Sequence, residues 1–168
     1  MGTLDFPTAG EVRIFGESIT PRVKLDRLRN LTLGFVFQLH NLLPNLTLAE
    51  NVMLAMYPRR ISRKAARERA DELLARVGLT ARRDFLPVQV SAGERQRTAA
   101  ARALANDPRI ILADEPTGSL DSRNGQAVLE LLLSLASDGE RTLVVVTHDA
   151  EIARRLGRSI TLVDGKIV

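Results

Sequence analysis

Apolar positions along the chain fall into two kinds of pattern, short continuous or alternating runs and longer stretches with helical spacing. Residues 11–16 (EVRIFG) alternate polar and apolar between two glycines, which predicts a short strand. Leu33–Phe37 (LGFVF) predicts a second strand that ends at Gln38, after a charged, helical stretch. Pro44 and two asparagines then break regularity before a helix that starts near Thr47. From Ser62, a good N-cap, Ala66, Ala70, Leu73, Leu74 and Val77 form one apolar stripe on a charged helix, and Gly78 closes it. A further helix runs from about Gly93 to Ala105 and is stopped by Asn106, Asp107 and Pro108. Residues 110–113 and 142–147 are apolar runs of strand length, with a helix over 125–136 between them. Two strands apolar on both faces, joined by a helix, predict a parallel α/β sheet. Residues 160–163 make a last short strand before an Asp164–Gly165 turn.

Composition agrees with one folded domain. A chain of 168 residues with 45% apolar content can build a real core, and with only 4% aromatics that core comes from Leu, Val, Ile and Ala. Without cysteine there is no disulfide framework and no thiolate metal site, which is compatible with a reducing compartment. The net charge is +4, but the arginines are scattered among Asp and Glu rather than gathered on one face with aromatics. No nucleic-acid partner is expected, and the densest cluster, 59–69, reads as a solvated helix surface. No apolar run reaches the ~20 residues of a membrane span, and residues 1–10 lack the pattern of a signal peptide.

The stretch IILADEPTGSLD, 110–121, ends a buried strand in two adjacent carboxylates. Asp114 suits Mg²⁺, held largely through water, and Glu115 suits an attacking water, the two roles that phosphoryl transfer requires. The plain alternative is an ordinary strand end capping the next helix. VSAGERQR, 90–97, places Ser91 at an N-cap with Glu94 three residues on, and Gly93 leaves room for a ligand to approach the backbone. Such a helix start either binds phosphate or merely begins a helix. His148, after the strand TLVVVT, stands where ligands of open sheets bind, as does Gln38 after LGFVF. Each is weak alone, since a strand-end histidine or glutamine is often only structural.

Taken in order and spacing, these segments resemble the ATP-binding domain of ABC transporters over nearly the whole chain. GFVFQ resembles the Q-loop, VSAGERQR the signature motif, IILADE the Walker B strand, SLD the D-loop and VVVTHD the switch-histidine strand. HNLLPNLTLAENV and ADEPTGSLD look most like the branch serving lipoprotein release and macrolide export. The resemblance implies an α/β fold with a P-loop-NTPase-like parallel sheet core and an inserted α-helical subdomain. The core would comprise 1–38 and 106–168, with the helical part and the signature motif at 39–105. It further implies ATP and Mg²⁺ as cofactors, a transmembrane permease as partner, and a homo- or heterodimer with another ATP-binding subunit. The place would be the cytoplasm, on the inner face of the cell membrane. Carried over by position, Gln38 and Asp114 would contact the metal, Glu115 would polarise the water and His148 would clamp the γ-phosphate. Ser91 and Gly93 would face the ATP on the other subunit, Asp121 would lie at the dimer seam, and residues 42–52 would sit near the permease.

The phosphate cradle has no counterpart. A Walker A loop needs G-x-x-x-x-G-K-[ST], and the only lysines, Lys24, Lys64 and Lys166, none of them before Ser or Thr, do not fit it. In the family that loop lies just before a stretch like 2–16, so the expectation is a member truncated at its N-terminus and inactive alone. Its missing P-loop strand would leave 142–147 with an open apolar edge. Ala92 stands where the family's signature has glycine, and Glu94 where glutamine is common. The Ala92 methyl would crowd a facing γ-phosphate. Glu94 would either bring negative charge to it or turn back onto the helix backbone. Two alternatives remain at this stage: a pseudo-ATPase partner lending Ser91 and Gly93 to an intact subunit, and a DNA-repair or chromosome-type ABC ATPase. The last usually carries coiled coils or zinc modules, and this chain has neither heptads nor cysteines.

Overall fold

The protein is described by a computed structural model covering residues 2, 5, 7–19, 25–137, 139 and 141–168; Lys24 lies outside the described residues. The strand read over 11–16 turns back on itself. β1 (Arg13–Ile14) pairs antiparallel with β2 (Glu17–Ser18) across Phe15 and Gly16, whose φ values of 51° and 81° suit a two-residue hairpin turn. Arg109 stacks its guanidinium 3.8 Å from the Phe15 ring centroid and so ties the hairpin to the body.

α1 (Leu25–Thr32) leads directly into β3 (Leu33–Phe37). α2 (Leu48–Leu54) begins with a capping box between Thr47 and Glu50. A 3₁₀ turn, Tyr57–Arg59, precedes α3 (Arg63–Arg76), which Ser62 caps as expected, and Gly78 follows it with φ 71°. α4 (Ala92–Ala103) carries a second capping box, Ser91 with Glu94. β4 (Ile110–Asp114) is followed by α5 (Ser122–Ala136), which starts three residues before the leucine spacing suggested because Asp121 caps it. β5 (Thr142–Val146) and a short α6 (Ala150–Arg154) come next. Residues 160–163 resolve into a terminal hairpin, β6 (Leu162–Val163) with β7 (Lys166–Ile167).

β3, β4 and β5 form one parallel sheet in that order, with Phe37, Asp114 and Val146 in register at its carboxyl end. One face, through Val36, Ile111 and Ala113, is buried in a core that also holds Leu48, Val52, Leu73, Leu74, Val128 and Leu132. Sheet and helical middle therefore share a single hydrophobic core. Small residues let α4 lie close: Ala99, Ala100 and Ala101 are buried, and a Cβ on Gly34 would stand 2.5 Å from the Ala103 carbonyl oxygen.

β5 reads as a strand apolar on both faces, and it has the open apolar edge expected of 142–147. It forms the edge of the sheet among the described residues, and none of its five residues is fully buried. Burial of a parallel strand needs neighbours on both flanks and cover on both faces, and β5 has a described neighbour only in β4.

Candidate functional site

Phe37, Asp114 and Val146 stand side by side at the strand ends, so the residues after each strand meet in one place. Glu115 turns there with φ 43°, a left-handed conformation that a side chain with a Cβ adopts rarely. The turn is held on several sides. Its amide donates to the Val146 carbonyl at 2.9 Å, and its carboxylate accepts from the His148 amide at 2.9 Å. His148 Nδ1 lies 2.7 Å from the same carboxylate oxygen. With Nδ1 donating to Glu115, the ring presents Nε2 outward, and the imidazole is 85% exposed while Glu115 is mostly covered. Asp114 is exposed and forms no hydrogen bond or ion pair among the described residues, so both its oxygens are available.

Gln38 is exposed and lies against the loop after Glu115. A Cβ on Gly118 would come within 2.9 Å of its Nε2, and Ser119 Oγ donates to the Gln38 carbonyl at 3.1 Å. Sequence reasoning missed Gly118; its only signal is that it lacks a side chain where the amide must pass. Gln38, Asp114, Glu115 and His148 thus come together. No group of three or more His, Cys, Asp or Glu among the described residues is arranged as an all-protein metal cage. One carboxylate and one amide oxygen suit an Mg²⁺ that keeps most of its water and takes its other ligands from phosphate. The metal side of a Mg·ATP site fits; the cradle for the triphosphate is absent from the sequence.

Ser91 and Gly93 lie on the first turn of α4. The Ser91 hydroxyl accepts from the Glu94 amide at 3.2 Å, and the Glu94 carboxylate accepts from the Ser91 amide at 2.8 Å. Of the two postures open to Glu94, the structure takes the one turned onto its own helix. The Ser91 amide is the main cause holding its carboxyl below the usual range. Gly93 is buried, and the space a Cβ would need is taken by Asn124, whose Oδ1 would be 2.9 Å away. Asn124 is in turn held by Asp121, through its amide at 3.0 Å and its side chain at 2.6 Å, and these bonds lower the Asp121 carboxyl. The start of α4 and the segment that opens α5 are therefore in contact within one chain.

Two further residues were not singled out from sequence. Gln96 is wholly buried and donates from one nitrogen to the Phe37 carbonyl at 3.1 Å and the Pro116 carbonyl at 2.8 Å. It joins the residue before Gln38 to the residue after Glu115. Its signal was a polar residue on the small-residue face of α4, in line with Gly93, Ala100 and Ala103. Arg102, further along α4, donates to the His40 and Asn41 carbonyls and pins the segment that follows Gln38.

The match to known proteins agrees with this geometry. The family model described as ABC transporter matches residues 2–118. The lipoprotein-releasing system ATP-binding protein LolD of Syntrophus aciditrophicus is 48% identical over 170 residues, covering 100% of this chain and 76% of that protein. LolD of Aquifex aeolicus is 44% identical over 170 residues, with 100% and 75% covered. Among solved structures, the dimeric post-hydrolysis state of the ATP-binding cassette MJ0796 bound to ADP and Pi superposes with a TM-score of 0.87 at 43% identity, covering 99% of this chain and 74% of that one. The chain belongs to the ABC transporter family, as an ATP-binding domain of the LolD-like kind. Its parallel sheet with flanking helices is the fold of the MJ0796 cassette.

Proposed function

We infer that the chain acts on the cytoplasmic face of a membrane as the ATP-binding subunit of a lipoprotein-releasing or macrolide-exporting type of transporter, and that these 168 residues alone do not hold nucleotide. One observation carries the reading. Gln38, Asp114, Glu115 and His148 converge at the carboxyl ends of adjacent parallel strands, where open α/β sheets bind ligands, with no lysine-bearing amide loop beside them among the described residues.

Mg·ATP, when bound, supplies the γ-phosphoryl group that passes to water. Asp114 and the Gln38 amide oxygen would hold the metal. Glu115, turned inward by its left-handed backbone, orients the water and takes its proton. The same carboxylate accepts the Nδ1 proton of His148, so Nε2 donates to a γ-phosphate when the ring is an imidazolium. Ser91, exposed at the head of α4, faces the nucleotide of a partnering subunit, Gly93 sits just inside it against Asn124, and Asp121 lies at that seam.

The permease docks beside residues 42–52, the segment that follows the His40 and Asn41 carbonyls held by Arg102. Burial pulls the Arg102 guanidinium below the usual arginine value, and its partners are carbonyls rather than carboxylates, which supports a docking segment that brings an acid.

Titration of the chain with Mg·ATP in a calorimeter tests the reading, with Glu115→Gln alongside to stop turnover. No saturable binding is expected below about 1 mM, a free energy of roughly 4 kcal/mol. Saturable heat in that range sinks the claim that the 168 residues do not hold nucleotide. A second reading, in which the chain completes the site of an intact subunit, is favoured by the exposure of Ser91 at the head of α4. ATP-dependent association with an intact relative supports it, and no association removes it.

A further inference from the structure

Between Glu50 and Glu68 the chain contains five cations and no acid. Arg67 is spoken for, with Asp84 at 2.7 Å and Asp71 at 3.2 Å. The other four, Arg59, Arg60, Arg63 and Lys64, form no ion pair among the described residues. The contrast with their surroundings is direct: Arg69 pairs with Glu72, Arg82 with Glu94 and Arg83 with Asp71 and Asp84. Glu50, the nearest acid before the strip, has its carboxylate bonded to its own N-cap residue Thr47, although Arg63 also acts on it through space.

All of residues 57–65 are exposed. Pro58 stiffens the 3₁₀ turn and Arg60, with φ 53°, turns the chain towards α3, so Arg59 and Arg60 lie on the corner and Arg63 and Lys64 on the first turn of the helix directly after it. Apolar groups accompany them where a merely solvated surface has no use for them: Tyr57 is 84% exposed, with Ile61 and Leu54 also out in water. Long cationic side chains without fixed partners, beside an exposed tyrosine and aliphatics, match a headgroup layer. The cations meet phosphate there, and the ring and aliphatics reach the acyl boundary. A structured acidic protein would instead meet cations already held in one geometry, as Arg67 and Arg83 are.

We propose that Arg59, Arg60, Arg63 and Lys64, with Tyr57 and Ile61, form a contact for an anionic lipid surface. This contact holds the chain against the bilayer independently of nucleotide and of the permease.

The test is co-sedimentation of the full chain with vesicles of phosphatidylcholine alone and of phosphatidylcholine with an equal part of phosphatidylglycerol, at low and high salt. Binding is expected only to the anionic vesicles, weaker at high salt, and falling about fivefold for each cation neutralised. The combined variant Arg59→Gln, Arg60→Gln, Arg63→Gln, Lys64→Gln should lose it at an unchanged melting temperature. A control removing four exposed arginines elsewhere, Arg76→Gln, Arg123→Gln, Arg154→Gln and Arg158→Gln, has the same net charge and should keep it. Equal binding to neutral vesicles would assign adhesion to exposed apolar surface and overturn the proposal. So would equal losses in the two four-fold variants, which would reduce the effect to overall charge. Polyglutamate displacing the chain from vesicles at matched charge concentration would point to an acidic protein partner and would overturn it as well.

Discussion

Gln96 has no charge and no exposure, yet it spans two of the segments that build the site, through the Phe37 and Pro116 carbonyls. The Phe37 carbonyl also accepts from the His40 amide, whereas among the described residues the Pro116 carbonyl accepts only from Gln96. Gln96→Leu keeps the volume and leaves the Pro116 carbonyl buried and unpaired, an expected loss of roughly 1–3 kcal/mol in urea unfolding. Ser91 and Glu94 make a different case. The folded-state carboxyl of Glu94 titrates below its unfolded value, chiefly through the Ser91 amide. Its contribution is therefore fully present above the unfolded value near pH ~4.3 and is lost as pH falls through the folded one. A stability–pH curve of Glu94→Gln should be flatter than that of the parent in this acid range and lie below it at neutral pH. Equal slopes would mean the capping box carries no charge-dependent stability.

At the scale of elements, the most exacting contact is between β3 and α4. Gly34 faces the Ala103 carbonyl so closely that any Cβ would collide with backbone rather than with a flexible side chain. Gly34→Ala should destabilise the fold by about 1–3 kcal/mol, the usual range for overpacking, measured by thermal or chemical unfolding. The strands and caps were readable because their causes are local. Ser62, Ser91 and Thr47 are polar residues ahead of periodic apolar ones, and β3, β4 and β5 are apolar runs bounded by breakers. The hairpin at Phe15 was not readable, because a phenylalanine at positive φ contradicts its own propensity and depends on Arg109, far along the chain. Glu115 is similar: its type suggested chemistry, but its left-handed turn exists only because Val146 and His148 hold it. The contact of Gly93 with Asn124, rather than with open space, likewise needs the docking of α5 on α4.

For the whole molecule, β5 carries the greatest exposure to self-association. It is an uncharged strand, LVVV after a threonine, at the sheet edge, with Val146 60% exposed. Edge strands in water usually carry a lysine, a proline or a bulge to discourage pairing, and this one has none. Val146→Lys should lower light scattering of the chain at micromolar concentration, on the order of the range where exposed edges aggregate, without lowering its melting temperature. Unchanged scattering would place the sticky surface elsewhere, for which the open face around Phe35 and Phe37 is the next place to look.

The order of elements also sets a tempo. β3 and β4 are neighbours in the sheet, but the chain passes through all of α2, α3 and α4 between them. Those helices have local contacts and can condense early, whereas the sheet waits for two distant ends to be brought together. Gln38, which follows β3, can join Glu115 and His148 only after that closure, so the candidate site is among the last parts to be completed. A newly made chain thus passes through an interval in which its helices are set while β3 and β4 still stand apart.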